Sequence, residues 1–389
     1  MRISKYLILL FITCCVSVLM WTCAADKDDA KEQDNATLIP LTEEYDESTD
    51  KWGFIDQSGE VVIEGDYDEV NNFADGMAAF RIKAKWGYLN KAGKKVIPAI
   101  YYNAFNFENG LAKVSDFERQ YGIIDKMGNV IVPLAYKDMR VFSEKLCAVK
   151  KEHDWGYINL KNEEVISAQF DAAKDFVNDK AIVKKADTYF LINKLGEKIS
   201  ETFDKMSLLD DGNYKIKREN KYGVIRPNGD IVLPIEYQSI SQSNNGVFAI
   251  KIQNIFQLVR SKNEVLDTPE NDGIKFLAED RWAFERNGKY GILNNLGQVL
   301  VSPKYDLITN YKNGFASYQL DNLWGYLDIE GKAITPPAFG LTWEFREGLA
   351  RVIAREGICF IDREGKLVFV ADNYDTRDFH EGLARTPIN

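Results

Sequence analysis

Short runs of aromatic and β-branched residues alternate with polar turn residues along this chain, and the pattern recurs ten times. Seven copies open on an aromatic residue followed by glycine: Trp52-Gly53, Trp86-Gly87, Tyr121-Gly122, Trp155-Gly156, Tyr222-Gly223, Tyr290-Gly291 and Trp324-Gly325. Three divergent copies open at Tyr189-Phe190, Phe256-Gln257 and Ile358-Cys359. Successive copies start 33 to 35 residues apart. A fixed period in this range is typical of solenoids, propellers and related arrays.

Each repeat begins with two predicted strands joined by a tight turn. Residues 52–56 and 61–63 are rich in aromatic and β-branched types, which favour strands. The position seven residues after the opening residue is always glycine or asparagine: Gly59, Gly93, Gly128, Asn162, Gly196, Gly229, Asn263, Gly297, Gly331 and Gly365. Because these types adopt positive φ most easily, we expect a type I turn closed by a left-handed residue. Asp or Asn often occupies its first position, where the side chain can accept from the turn backbone.

The second predicted strand often ends in proline, at Pro98, Pro133, Pro234, Pro303 and Pro336. Since proline cannot donate to a ladder, we expect sheet pairing to stop there. A third strand follows, with a Gly-Leu-Ala sequence at Gly110, Gly348 and Gly382. Each repeat therefore predicts a three-stranded meander plus a connecting segment, and helical periodicity is scarce.

Apolar residues on both faces of the opening strand predict that it lies between two layers. We expect the recurrent tryptophans Trp52, Trp86, Trp155 and Trp324 to belong to the core, and the following glycine to leave space for a side chain of the next unit. The predicted fold is all-β, with ten ~34-residue three-stranded β-meander repeats stacked in a propeller-like ring or an open curved array. Ten units exceed the usual four to eight blades, so both arrangements stay open.

The first residues are predicted to be a targeting segment. Arg2 and Lys5 precede an apolar run over residues 6–20, and Cys23 follows it. We assign residues 1–22 to a signal peptide, residues 23–36 to a charged flexible tether and residues 37–389 to the repeat array. The segment resembles a bacterial lipoprotein signal, which implies lipidation of Cys23. Secretory cleavage near Ala24 is the alternative.

The repeat itself resembles a known family. The pattern Trp-Gly-aromatic-Ile-Asp-x-x-Gly-x-x-Val-Ile, then Tyr-Asp, then Phe-x-x-Gly-Leu-Ala, is similar to the bacterial WG (KWG) repeat and covers about residues 50–389. The resemblance implies an exported all-β array without a common activity. The middle copies depart from it, since Phe190 and Gln257 replace the glycine and Trp282 replaces a small residue. Either drift or a specialised surface would explain them.

The net charge and the positions of histidine and cysteine limit which kinds of binding or catalytic site can be predicted. A formal charge of −10 argues against nucleic-acid binding. His153 and His380 are expected in exposed turns, and neither has neighbours at a metal-ligand spacing. Cys147 and Cys359 are six repeats apart, so we expect two core thiols and no disulfide. No catalytic residue, cofactor site or metal site is predicted, and the sequence assigns no ligand-binding residue.

These observations predict a non-enzymatic binding scaffold of the cell envelope that engages a protein partner through its repeat surface. A glycan- or peptidoglycan-binding module is the alternative, and it requires solvent-exposed aromatic residues. The expected location is the outer membrane or cell surface, with membrane contact only through the lipid anchor. A periplasmic or secreted protein is the alternative location.

Overall fold

The computed structural model describes residues 51–241, 245–261 and 264–388. All of these residues belong to one compact unit, Ser48–Asn389. Strands and turns account for all regular structure in these residues, which contain no helix.

Several predictions fall elsewhere. The signal peptide over residues 1–22, the tether over residues 23–36, the lipidation site Cys23 and the turn residue Asn263 all lie outside the described residues.

In the described part of the chain, 38 strands form ten antiparallel sheets, which we number in chain order. Sheet 1 contains β37 (Phe379–His380), β38 (Leu383–Ile388), β1 (Lys51–Ile55) and β2 (Val61–Tyr67). Sheet 2 contains β3 (Glu69–Val70), β4 (Met77–Ile82), β5 (Lys85–Asn90) and β6 (Lys95–Tyr101). Sheet 3 contains β7 (Asn103–Ala104), β8 (Leu111–Ser115), β9 (Tyr121–Asp125) and β10 (Val130–Tyr136). Sheet 4 contains β11 (Asp138–Met139), β12 (Leu146–Lys151), β13 (Asp154–Asn159) and β14 (Glu164–Phe170). Sheet 5 contains β15 (Ala172–Ala173), β16 (Lys180–Lys185) and β17 (Thr188–Asn193).

The remaining sheets follow the same order. Sheet 6 contains β18 (Lys205–Leu208), β19 (Tyr214–Arg218), β20 (Lys221–Ile225) and β21 (Ile231–Tyr237). Sheet 7 contains β22 (Ser239–Ile240), β23 (Phe248–Ile252), β24 (Ile255–Ser261) and β25 (Glu264–Val265). Sheet 8 contains β26 (Gly273–Phe276), β27 (Arg281–Arg286), β28 (Lys289–Asn294) and β29 (Val299–Tyr305). Sheet 9 contains β30 (Leu307–Ile308), β31 (Phe315–Leu320) and β32 (Leu323–Asp328). Sheet 10 contains β33 (Leu341–Thr342), β34 (Ala350–Ala354), β35 (Gly357–Ile361) and β36 (Leu367–Val370).

The sheets are offset from the sequence repeats. The aromatic-glycine strand is the third strand of its sheet and the strand after the tight turn is the fourth. The Gly-Leu-Ala strand of the same repeat becomes the second strand of the next sheet. A short strand from the predicted connecting segment supplies the first position. Each repeat therefore ties two neighbouring sheets together covalently.

Sheet 1 joins the two ends of the described chain. β1 pairs along its whole length with β38, from Lys51 opposite Ile388 to Ile55 opposite Ala384. The first and last repeats thus complete one sheet between them, and the ring of sheets is closed. The protein is a ten-bladed β-propeller, so the all-β repeat prediction is confirmed in its closed form.

Turn carboxylates reinforce this closure. Glu347 of sheet 10 accepts hydrogen bonds from the backbone N–H groups of Glu381 and Gly382 in sheet 1, at 2.5 and 2.7 Å. Glu381 in turn accepts from the backbone N–H of Gly76 in sheet 2, at 2.9 Å. Hydrogen bonds from turn donors to carboxylates are among the stronger kind, and here they connect three successive sheets across the chain ends.

The tight turn has the predicted geometry. In sheet 9 the backbone N–H of Gly331 donates to the carbonyl of Asp328 at 2.9 Å, and Gly331 has φ of 80°. The Asp328 side chain accepts from the N–H groups of Glu330 and Lys332, at 3.1 and 2.8 Å. Asn162, which replaces the glycine in another copy, also has positive φ, at 62°. This prediction is confirmed at the described positions.

The glycine after the aromatic residue serves a different purpose from the one expected. A Cβ on Gly87 would lie 2.5 Å from the Ile97 carbonyl oxygen, 2.7 Å from Pro98 C and 2.8 Å from Ala99 N. The space above Gly87 is filled by the backbone of β6 in the same sheet, so the prediction of a side chain from the next unit was wrong. The fourth strand crosses too close for any side chain.

Proline does not end the fourth strand, contrary to prediction. β6 continues through Pro98 to Tyr101. A bulge at the proline interrupts the hydrogen-bond ladder with β5, and the pairing resumes beyond it at Tyr101. Tyr88 lies opposite Ile97 and Trp86 opposite Tyr101, so one residue of β5 between these pairs faces three of β6. Bulges tolerate a residue that cannot donate, and this one places the bent backbone over Gly87.

The core lies between neighbouring sheets. Tyr88 is fully buried, and its hydroxyl donates to the carbonyl of Phe105 in sheet 3 at 2.6 Å. Tyr157 and Tyr326 occupy the same position and are buried likewise. The opening tryptophans are only half-buried: Trp52, Trp86, Trp155 and Trp324. The first three pack against the hydrophobic core, so the prediction that they belong to it is confirmed in part. The aromatic residue two positions later fills the centre of the interface, and the tryptophans cover its edge.

The other residues singled out from the sequence are distributed around the ring. Cys147 and Cys359 are buried free thiols in sheets 4 and 10. Trp282 is fully buried between sheets 7 and 8, and its indole N–H donates to Asn295 Oδ1 at 2.7 Å. His153 is exposed in a turn, as expected. His380 is instead half-buried in β37, where it pairs with Leu383, and burial lowers its pKa.

Candidate functional site

Among the described residues, no group of three or more His, Cys, Asp or Glu side chains is arranged to hold a metal ion. The same residues contain no helix long and apolar enough to cross a membrane.

A shallow pocket of about 520 Å³ opens where sheets 1, 2 and 3 meet. Its volume is within the range usual for small-molecule sites, roughly 300–1,000 Å³. The lining residues are Asn71, Asn72 and Trp86 of sheet 2, Asn103, Ala104, Phe105 and Asn106 of sheet 3, and Arg385 of sheet 1. Segments from both ends of the chain thus form the pocket together. Arg385 lies beside residues 71–106 only because the ring is closed.

The asparagines are positioned by the short first strands. The backbone N–H of Asn71 donates to the carbonyl of Ala79 at 2.8 Å just after β3 ends. Val70 and Phe73 on either side of the asparagine pair are buried, at 0% and 2% exposure. These anchors hold Asn71 and Asn72 at the surface. The equivalent anchor in sheet 3, Phe107, is 2% exposed.

The amide groups are available to a ligand. The side chains of Asn71, Asn72 and Asn106 make no hydrogen bond to any other described residue. Each amide offers two donors and a carbonyl acceptor. Such groups match hydroxyl-rich molecules, because a hydroxyl also donates and accepts.

Two aromatic rings form the apolar part of the pocket. Phe105 is 40% exposed, and Trp86 is half-buried. The Arg81 guanidinium lies 5.9 Å from the Trp86 ring, and Lys113 Nζ lies 4.3 Å from the Phe105 ring. The cations help to fix both rings from within the protein.

Arg385 supplies the positive charge. Its Nη1 donates to the Val70 carbonyl at 2.7 Å, and the side chain is half-buried. Burial is the main cause that lowers the pKa of Arg385, and the nearby Arg377 acts in the same direction, opposed by Glu69 and Asp378. An arginine keeps its charge at physiological pH despite such a shift.

Sequence reasoning missed this site. The repeat framework singled out Trp86 but not Arg385, which lies about 300 residues from the others. The available signal was the concentration of asparagine in two consecutive repeats, at Asn71, Asn72, Asn103 and Asn106.

Comparison of the sequence with protein-family models supports the repeat assignment. The model of the WG containing repeat matches residues 52–86, 86–116, 121–152, 155–189, 222–254, 290–324 and 324–353. The chain belongs to the WG repeat family. The unmatched copies include those in which Phe190, Gln257 and Cys359 stand in place of the glycine.

Several solved structures resemble this WG repeat protein in fold. A eukaryotic initiation factor is 11% identical, with 82% of this chain and 95% of that chain covered and a TM-score of 0.45. The computationally designed Ika8 protein is 10% identical, with 67% and 93% covered and a TM-score of 0.37. BamB from Moraxella catarrhalis is 11% identical, with 67% and 80% covered and a TM-score of 0.32. No curated protein matches the chain.

Proposed function

We propose that this WG repeat protein is a non-enzymatic binding protein whose ligand is a saccharide held in the pocket between sheets 1, 2 and 3. The observation that carries the proposal is the combination of four asparagines with two partly exposed aromatic rings in one cavity.

The chemistry of the pocket suits a sugar ring. The C–H face of a pyranose is apolar and packs on aromatic rings, while its hydroxyls need donors and acceptors at the rim. Trp86 and Phe105 offer the first kind of surface, and Asn71, Asn72 and Asn106 offer the second. The open, shallow shape leaves room for a chain that continues beyond the bound residue.

Replacing Phe105 with alanine is expected to weaken saccharide binding at least about tenfold, which corresponds to about 1.4 kcal/mol of lost ring contact. Asn106→Ala removes an exposed amide without touching the core and should weaken binding several-fold. The measurement is a panel of immobilised oligosaccharides (chitotriose, maltotriose, sialyllactose and trigalacturonate), followed by isothermal titration with any that bind.

Trp86→Ala is compared with a matched control, Trp155→Ala. Trp86→Ala and Trp155→Ala remove the same framework residue in sheets 2 and 4, so their structural costs should be similar, but only Trp86 lines the pocket. Equal loss of binding in both variants would assign the effect to general destabilisation and count against the pocket.

A protein partner is the second candidate, favoured by exposed aliphatic residues that recur on the fourth strands. They include Val61, Val62, Ile100, Val130, Val165, Ile231, Val299, Leu300, Leu367 and Val368. Exposed apolar residues mark an interaction surface where they form a contiguous patch, and their recurrence on the fourth strands of several sheets supports this candidate. Cross-linking in the native envelope followed by mass spectrometry would recover one protein in near-equal amount if this surface is the main binding site.

We further propose that the protein is exported and held at the outer membrane or cell surface through Cys23. The basic start, the apolar run over residues 6–20 and the cysteine at its end support this location. Cys23→Ser is expected to abolish metabolic labelling with an alkyne fatty acid and to release the protein from the membrane fraction. Unchanged fractionation of the variant would favour cleavage near Ala24 and a periplasmic or secreted protein.

A further inference from the structure

The repeat provides an internal comparison for Arg385. Arg351 of β34 and Arg385 of β38 occupy the same position of the second strand, 34 residues apart. Each donates its Nη1 to a backbone carbonyl of the next sheet at 2.7 Å, Arg351 to Thr376 and Arg385 to Val70. The two arginines therefore make the same contact between neighbouring sheets.

The two sites differ in their negative charge. Arg351 Nε lies 2.9 Å from Asp378 Oδ1, an ion pair that falls outside hydrogen-bond geometry. The residue equivalent to Asp378 beside Arg385 is Asn72, since each stands four residues before the glycine of the following turn. A neutral amide that lines the pocket thus replaces the carboxylate.

Arg385 forms no ion pair with the described residues. Three nearby charged residues already have partners. Glu69 pairs with Arg81 at 3.0 Å, Asp378 with Arg351 at 2.9 Å and Arg377 with Asp375 at 3.3 Å. A half-buried charge that has no ion pair of its own is less favourable than a paired one, and a ligand carboxylate that pairs with Arg385 gains the difference.

We propose that the pocket selects an acidic saccharide, whose carboxylate takes the place beside Arg385 that Asp378 takes beside Arg351. This inference rests on the proposed saccharide site and adds the class of sugar. The sugar ring packs on Trp86 and Phe105, and the hydroxyls bind the asparagine amides. The guanidinium contributes the selectivity, since a neutral sugar leaves it without an ion pair.

The test compares saccharides that differ only in charge. The intact mature chain is titrated with trigalacturonate and its methyl ester, and with sialyllactose and its methyl ester. In at least one pair the acidic member is expected to bind ten times or more as tightly as the neutral one, with a preference that decreases as salt is added.

The decisive variant is Asn72→Asp, which restores the carboxylate that the Arg351 site already has. It is expected to raise the melting temperature, because Arg385 gains a partner, and to abolish the preference for acidic sugars. Asn310→Asp is the matched control, since Asn310 occupies the equivalent position in sheet 9, away from the pocket, and the change in net charge is identical. The control should keep the wild-type preference.

The outcomes separate the two proposals. Equal binding of acidic and neutral members, or a preference that survives in a folded Asn72→Asp variant, would overturn the acidic-sugar inference and leave the saccharide site standing. Binding of no saccharide would overturn both. Loss of the preference in Asn72→Asp with retention in Asn310→Asp supports the inference.

Discussion

Replacing Gly87 with valine is expected to detach β6 from sheet 2 and to lower the free energy of unfolding by about 3 kcal/mol or more. A Cβ at this position would lie 2.5 to 2.8 Å from three backbone atoms of residues 97–99. Backbone cannot move aside as a flexible side chain can, so the cost exceeds the ~1–3 kcal/mol usual for overpacking.

The chain carries natural versions of this substitution. Sheet 5, whose third strand has Phe190 in place of glycine, has no regular fourth strand among its described residues. Sheet 7, with Gln257 at this position, keeps a described fourth strand of only two residues, Glu264–Val265. Sheet 10, with Cys359 at this position, keeps a fourth strand of four residues, Leu367–Val370. The glycine is thus tied to the seven-residue fourth strand that crosses close above it, and not to the presence of a fourth strand as such.

The matched control for this variant is Gly273→Val. Gly273 is also a strand glycine, but the nearest atom to a Cβ there is Glu285 Oε2 at 3.8 Å. Urea unfolding should show a large loss for Gly87→Val and a change of less than about 1 kcal/mol for the control, with fast amide exchange confined to residues 95–101. Similar losses in both variants would mean that β propensity, rather than the crossing backbone, sets the requirement.

Sheet 9 shows that glycine at this position is not sufficient for a regular fourth strand. It has the opening pair Trp324-Gly325, yet only isolated pairs, such as Trp324 with Phe339, represent its fourth strand. Pro336 and Pro337 stand consecutively in the region where four other repeats have a single proline, Pro98, Pro133, Pro234 and Pro303. One proline fits a bulge, whereas two remove neighbouring donors. A fourth strand of full length therefore needs both the open space above glycine and an uninterrupted run of donors beyond the bulge.

Local chemistry explains which parts of the fold could be predicted from the sequence. The turn at Gly331 depends on four residues and on the preference of glycine for positive φ, so the pattern alone identifies it. The bulge at Pro98 was missed because proline was judged against a regular ladder. The burial of Trp86 was overestimated. The alternation of residues along a strand does not show which of two aromatic positions, here Trp86 and Tyr88, faces the centre of the interface between sheets.

Long-range features required the structure. Ring closure depends on pairing between residues 51–55 and 384–388, which no local pattern encodes. The pocket depends on that closure, since Arg385 comes from the last strand and the asparagines from the first repeats. The pocket differs from the equivalent site at Arg351 in having the amide of Asn72 in place of a carboxylate. This difference could be recognised only after the structure showed that Arg351 and Asp378 form an ion pair.

Deleting residues 383–389 is expected to unfold the whole propeller and not only sheet 1. β38 pairs with five residues of β1, and ladder hydrogen bonds contribute about 1 kcal/mol net each. The deletion also removes Leu383, which is 8% exposed, and with it about 2 kcal/mol of burial. The sum approaches the total stability of a typical domain, about 5–15 kcal/mol.

A circular permutant provides the control, because it keeps every strand while moving the ends. Ile388 lies opposite Lys51, so a two-residue turn can join them, as residues 83–84 join β4 and β5 in sheet 2. New termini between Lys83 and Ala84, both exposed, should leave one cooperative thermal transition close to that of the parent. The truncated chain should lose its β circular dichroism and the near-ultraviolet signal of the buried Trp282 together. A truncated protein that keeps a sharp transition for the remaining sheets would show that neighbouring contacts suffice, as in an open stack, and that closure serves mainly to bring Arg385 to the pocket.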